Sequence, residues 1–173
     1  MASLRVFFTF PDPVNEKAAR AVAAVVLMEA VLLLVTGWWW LTLPLAYGFW
    51  ARVLTGPRLS PLGWAAQNLI APRLGERRPV PGPPKRFAQG IGAALATAAL
   101  LLGFLAGDHR VGEVLVALFL PAAGLEALLG LCLGCRLFGL LIGLGLIPES
   151  ACVECADLSG RLGLSAPPAV PRS

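Results

Sequence analysis

Apolar positions in this chain come in long unbroken stretches, without the alternation of a half-buried strand or the single stripe of a soluble helix. Such runs cover residues 18–36, 38–54, 87–107 and, almost continuously, 111–147. Crossing the roughly 30 Å hydrocarbon core of a bilayer takes ~20 apolar residues as helix. Backbone amides cannot go unpaired in lipid, and nothing here alternates like a barrel strand, so the spanning element is helical. The fold class expected is all-α, a polytopic membrane helix bundle forming one integral membrane domain.

The last run decides the number of spans. As a single helix it would extend about 55 Å, too long for one crossing. A span over 111–131 brings the chain back across, and the remainder at 137–147 is only about 17 Å of helix, too short to recross. We therefore expect four transmembrane helices (18–36, 38–54, 87–107 and 111–131), a short re-entrant or interfacial helix over 137–147, and a flexible tail over 164–173. A turn near Gly130 followed by a short fifth span is the competing arrangement. It would place the two cysteine pairs on opposite faces.

Polar and proline-rich segments punctuate these runs. The head, with Phe7, Phe8, Phe10, Pro11 and Pro13, is too broken for helix, and its phenylalanines are expected to anchor it at the inner surface. Gly37 turns a tight hairpin between the first two helices. Ser60 followed by Pro61 reads as an N-cap and a first-turn proline, opening a segment over 62–70 that lies along the interface. Residues 78–85 carry Pro79, Pro81, Pro83 and Pro84 and are expected to form a stiff extended connector. The glycine pairs Gly103/Gly107, Gly130/Gly134 and Gly139/Gly143 are four apart, a spacing that lets helices approach closely.

Composition agrees with lipid: 57% of the residues are hydrophobic and 14% charged, against about a quarter charged in soluble domains. The segment before the first run carries Asp12 and Glu16 beside Lys17 and Arg20. A cleaved signal would be basic and end in small residues, so this run is read as a retained helix. The net charge of +4 is unevenly placed, with seven cations between Arg52 and Arg86 against one anion, Glu76. Short loops rich in Lys and Arg stay in the cytoplasm, which puts this loop and the N-terminus inside. Trp38, Trp39 and Trp40 then lie at the outer interface together with Asp108, His109 and Arg110. The loop lacks the clustered aromatics of a nucleic-acid site. Topology and anionic headgroups account for its charge, so the partner expected is the lipid bilayer and no nucleic acid.

Candidate chemistry is concentrated in four cysteines, Cys132/Cys135 and Cys152/Cys155, the only ones in the chain. Each Cys-x-x-Cys pair holds two sulfurs near enough for a reducible disulfide. Ser150 is placed to cap a short helix with Cys152 in its first turn, where the positive helix end lowers a thiol pKa, although Glu154 opposes this. Cys132 and Cys135 are read near a helix C-terminus, where the dipole disfavours thiolates and Arg136 favours them. On this reading Cys152 attacks, Cys155 resolves, and Cys132/Cys135 is the exchange pair. An inner-side location implies a reduced resting state. The same spacing also fits a four-thiolate site for zinc or an iron–sulfur cluster, with Cys132, Cys135, Cys152 and Cys155 as ligands. Four inert buried cysteines are the plainer alternative.

Two carboxylates, Glu29 and Glu126, lie within expected spans, where an ionisable group costs about 3 kcal/mol to insert. They serve either a proton path or interhelical hydrogen bonds, with Arg52 or the Trp indoles as donors. Glu126 can act as base toward Cys135 only if the helix breaks around Gly130.

Residues 10–17 (Phe10-Pro11-Asp12-Pro13-Val14-Asn15-Glu16-Lys17), Ser60-Pro61-Leu62-Gly63, Pro83-Pro84-Lys85-Arg86-Phe87-Ala88-Gln89-Gly90, Leu125-Glu126-Ala127 and the two cysteine pairs together resemble the bacterial membrane family catalogued as domain of unknown function 4395. The resemblance covers nearly the whole chain. It implies a multi-helix protein of the bacterial inner membrane, and company with thioredoxin-like and sulfurtransferase proteins. The function expected is thiol–disulfide or sulfur handling at the inner face. The alternatives are a metal-binding structural protein, or a proton-coupled transporter that uses Glu29 and Glu126 and needs a homo-oligomer to form a pore.

Overall fold

The computed structural model describes residues 10–148 and 151–152. Helices dominate, joined by one minimal strand pair. Helix α1 (Glu16–Thr36) opens at Asn15, whose side chain accepts from the Lys17 amide at 3.1 Å, and ends at Gly37 in the left-handed conformation. A 3₁₀ turn over Trp39–Leu41 leads into α2 (Thr42–Thr55). The interfacial segment begins as α3 (Pro61–Ala65), capped by Ser60 Oγ accepting from the Gly63 amide at 3.0 Å, and continues in looser turns through Leu74. Trp64 and Leu69 stand exposed on it. Helix α4 (Gly82–Leu105) ends in a π-helical stretch over Ala99–Leu105. Helix α5 (His109–Leu129) loosens at Leu118, where Pro121 lacks the amide that would bond Ala117. A short helix α6 (Leu133–Gly143) follows.

Three of these helices, α1, α4 and α5, are long and apolar enough to cross a membrane. The expected span over 38–54 differs. Its helix α2 has 14 residues, about 21 Å, because the tryptophan corner is wound as a separate turn. The other boundaries also move. The connector expected over 78–85 is helical from Gly82, since Pro83 and Pro84 occupy first-turn positions that donate no intrahelical bond. The helix expected at 137–147 runs from Leu133 to Gly143, before the left-handed Gly145. Phe7, Phe8, Ser150, Cys155 and the tail lie outside the described residues.

The head straps one end of the bundle together. Strand β1 (Val14–Asn15) pairs antiparallel with β2 (Pro79–Val80), Val14 opposite Val80. Asp12 Oδ1 accepts from the Gly82 amide at 2.9 Å, serving the start of α4 that prolines leave without a capping side chain of its own. Arg86 Nε donates to the Val53 carbonyl at 3.0 Å, tying α4 to the end of α2. Arg20 donates to the Ala127 and Leu128 carbonyls, satisfying orphan acceptors at the end of α5. The helices' small faces pack inward. In one buried cluster, α1 (Ala18, Val22, Val26, Ala30, Leu33) packs mainly on α5 (Val116, Phe119, Ala123), and α4 (Ala93, Ala96, Ala99) packs mainly on α2 (Leu45, Phe49). Large apolar side chains such as Met28, Val35, Leu105 and Leu128 point outward, as lipid requires.

Of the glycine pairs, Gly103 and Gly134 sit at close approaches. Gly103 faces Gly112 Cα and the Trp39 ring, and Gly134 faces Ala88. Trp39 also stacks on His109 at 4.9 Å, which fixes the end of the bundle opposite the head.

Candidate functional site

The chain reverses between α5 and α6 in three residues. Gly130 takes the left-handed conformation (φ 70°), its amide bonding the Glu126 carbonyl and the Leu131 amide that of Leu125, a Schellman-type close. Cys132 then becomes the N-cap of α6, its Sγ accepting from the Cys135 amide at 3.3 Å. This corrects the sequence reading: Cys132 and Cys135 open a helix, so the dipole favours a thiolate at Cys132. The break near Gly130 also turns Cys132 back toward the last turn of α5, which carries Glu126.

Three further polar groups gather there. Lys85, from the first turn of α4, makes an ion pair with Glu126, and both side chains are largely buried. One turn along α4, Gln89 Oε1 accepts from Arg52 Nε at 2.7 Å. Arg52 is 6% exposed and its guanidinium lies 4.6 Å over the Phe49 ring. Its Nη2 is buried without a hydrogen-bond partner, alone in this among the described side chains. Arg52, Gln89, Glu126 and Cys132 share a cavity of about 360 Å³ whose remaining walls are apolar, from α1, α2, α4, α5 and α6.

Both thiols of this pair are free. The Cys135 thiol hydrogen bond holds Cys132 below the usual thiol range, against burial and the Glu126 charge, helped by Lys85 and the Cys135 amide. Cys135 is pushed the other way by that same bond, then by burial and the neighbouring sulfur. Cys132 is buried against the cavity, whereas Cys135 is partly exposed. Alkylation with iodoacetamide is therefore expected to follow a midpoint below the ordinary thiol value at Cys132, and Cys135→Ala should move that midpoint upward. A midpoint unchanged by Cys135→Ala would contradict the shared hydrogen bond.

Of the other sequence candidates, Cys152 separates from this cluster. Cys152 packs with Phe138 and Ile142 of α6 and with Phe87, at 6% exposed. It is disulfide-bonded, where a reduced attacking thiol was expected. Among the described residues no group of three or more His, Cys, Asp or Glu is placed to hold a metal; the four-thiolate set includes Cys155, outside them. Glu29 lines a lipid-side groove between α1 and α2 that Arg52 lines as well, and the guanidinium interacts electrostatically with both Glu29 and Glu126. The partner of Glu126 is Lys85, and the Trp50 indole donates to Thr97 instead of to a carboxylate.

Sequence reading placed Lys85 in the basic loop, counted Arg52 there while also offering it as a donor to the intramembrane carboxylates, and gave Gln89 no role. The available signal was periodic: Pro83-Pro84 as first-turn prolines place Lys85 and Gln89 four apart, on one face of a helix.

Residues 14–142 match the model of the family described as domain of unknown function (DUF4395). The chain belongs to this family. The matched region runs from the head strap to the last turn of α6, so it takes in the DUF4395 cavity and the Cys132/Cys135 pair and stops short of Cys152. No curated protein and no solved structure matches the chain.

Proposed function

We propose that this DUF4395 protein is a membrane thiol oxidoreductase that takes electrons from the dithiol of a thioredoxin-like protein. The observation carrying this reading is the asymmetry of Cys132 and Cys135: one sulfur capping a helix beside Lys85, the other more exposed. In the oxidised pair, a partner thiolate attacks Cys135 Sγ. The Cys132–Cys135 bond breaks and its electron pair stays on Cys132, the better leaving group because its thiolate is stabilised. The partner's second thiolate then attacks its own sulfur in the mixed disulfide and releases Cys135. Two electrons and two protons pass to the pair, and the partner leaves as a disulfide. Cys152, buried against α6 and oxidised, takes no part in the exchange in this scheme, in place of the attacking role inferred from sequence.

The topology belongs to the same proposal. The basic end, with the N-terminus, faces the cytoplasm of the bacterial inner membrane. Helix α2 with its tryptophan turn acts as a shortened fourth span. Helix α6 remains re-entrant or interfacial at the basic end. Supporting this, its first turns pack on the first turns of α4, Gly134 against Ala88 and Phe138 against Phe87 at 5.4 Å.

Disulfide trapping tests the assignment. Parent protein oxidised with diamide and then freed of it should form a disulfide-linked species with reduced thioredoxin lacking its resolving cysteine, joined at Cys135 by peptide mapping, and Cys132→Ser or Cys135→Ser, neither of which can form the disulfide of this pair, should form none. Linkage at Cys132, or no linkage in the oxidised parent, would reject it.

A further inference from the structure

A reduced pair needs somewhere to send its electrons, and the cavity shows what it can take. It is about 360 Å³, within the range of small-molecule sites, and walled mostly by apolar side chains inside a bundle that presents apolar surface to lipid. Such a space selects a ligand that arrives from the membrane. Its polar lining is confined to Arg52, Gln89, Glu126 and Cys132. Glu126 is already paired with Lys85, and Gln89 already accepts from Arg52. What remains unmet is a donor, Arg52 Nη2, buried with no acceptor among the described residues. Leaving a buried charged donor unsatisfied is costly, so an acceptor oxygen on the ligand would be strongly favoured. A second requirement comes from Cys132, the one cavity-lining sulfur, held at a helix N-terminus where it carries thiolate character.

We infer that the cavity is the binding site of a membrane-soluble quinone, with a ring carbonyl oxygen accepting from Arg52 and the ring within reach of Cys132. This rests on the thiol reading above and extends it by naming the electron acceptor. The Cys132 thiolate adds to a ring carbon, forming a C–S bond, and the displaced pair moves onto the carbonyl oxygen beside Arg52. The Cys135 thiolate then attacks Cys132 Sγ; an S–S bond forms, the C–S bond breaks, and its electron pair enters the ring. The two protons shed by the thiols complete the quinol. One quinone gains two electrons and two protons, the pair becomes a disulfide, and a partner dithiol restores it by the exchange already described. A fatty acid offers the same chemistry of acceptor oxygen on an apolar body, but it cannot take electrons, and Cys132 would then have no role in the cavity.

The test uses the full chain in lipid nanodiscs, reduced, freed of reductant and kept anaerobic, with a decyl-substituted benzoquinone as probe. One quinol should form per protein, with loss of the two free thiols at Cys132 and Cys135, and Cys132→Ser should form none. Arg52→Gln should raise the half-saturating quinone concentration at least 10-fold. Ala122→Leu, which fills the cavity with apolar bulk and spares every polar group, should do likewise and stands in if Arg52→Gln fails to fold. Absence of quinol overturns the proposal. Palmitate binding that depends on Arg52, with the thiols untouched by quinone, also overturns it. Thioredoxin trapping on a portion of the preparation oxidised with diamide instead of quinone separates the two readings: trapping there without quinol formation in the main portion sinks the quinone alone, and loss of trapping sinks the exchange reading.

Discussion

Lys85→Met should lower the stability of this protein by about 3–5 kcal/mol, because it strands the Glu126 carboxylate in a buried setting with its charge unpaired. The lost ion pair itself is a small part of that figure. Taking two charges out of water costs nearly as much as their attraction returns, so a buried pair adds little over well-packed apolar side chains. The double variant Lys85→Met/Glu126→Leu should therefore recover most of the loss. Unfolding titrations in mixed detergent micelles measure both. A single variant as stable as the parent, or a double variant no better than the single, would contradict the pairing. The thiol supplies a second readout. Lys85 is one of the groups that lower the Cys132 pKa. Its removal should shift the Cys132 alkylation midpoint to higher pH and slow labelling at neutral pH.

Gly134→Val should unseat α6. An added Cβ at Gly134 would lie 2.5 Å from Ala88 Cβ and 2.7 Å from Ala88 Cα, and the second of these belongs to the α4 backbone, which cannot step aside. Overpacking of this kind costs about 1–3 kcal/mol. Here the strain falls on the helix that carries both free thiols and closes one wall of the cavity. The expected result is faster maleimide labelling of Cys132, with its alkylation midpoint drifting toward that of an ordinary thiol as the helix N-terminus loses its position. Gly139 has no such neighbour, so Gly139→Ala provides the matched control with little change. Equal effects at the two positions would show that the Gly134–Ala88 contact does not seat α6.

The way the two cysteine pairs exchanged roles shows where linear reasoning stops. Cys132 follows an apolar helix in the sequence, and a helix continued through Gly130 would have put both thiols at its negative end. The left-handed turn at Gly130 ends α5 three residues earlier and makes Cys132 the first capping group of a new helix. Glycine can adopt that conformation without strain, but so can it remain helical at modest cost, and the choice depends on what the turn packs against. Here Glu16 and Arg20 of α1 lie beside Gly130, and Arg20 takes up the carbonyls that the ending helix leaves free.

The sequence alone determined that the chain is helical and membrane-embedded, which family it resembles, that Ser60 caps a helix and that Gly37 turns a hairpin. Each of these follows from local composition or from conformational limits on neighbouring residues, so no distant contact is needed to read them. Only the tertiary structure decided which ionisable groups meet. Lys85 and Glu126 are 41 residues apart and Arg52 and Gln89 are 37 apart, and each pair is brought together by packing between helices that hydropathy cannot orient. A charge written in a basic loop and a charge buried beside a thiol look the same along the chain; burial and partner distinguish them, and both are properties of the assembled bundle.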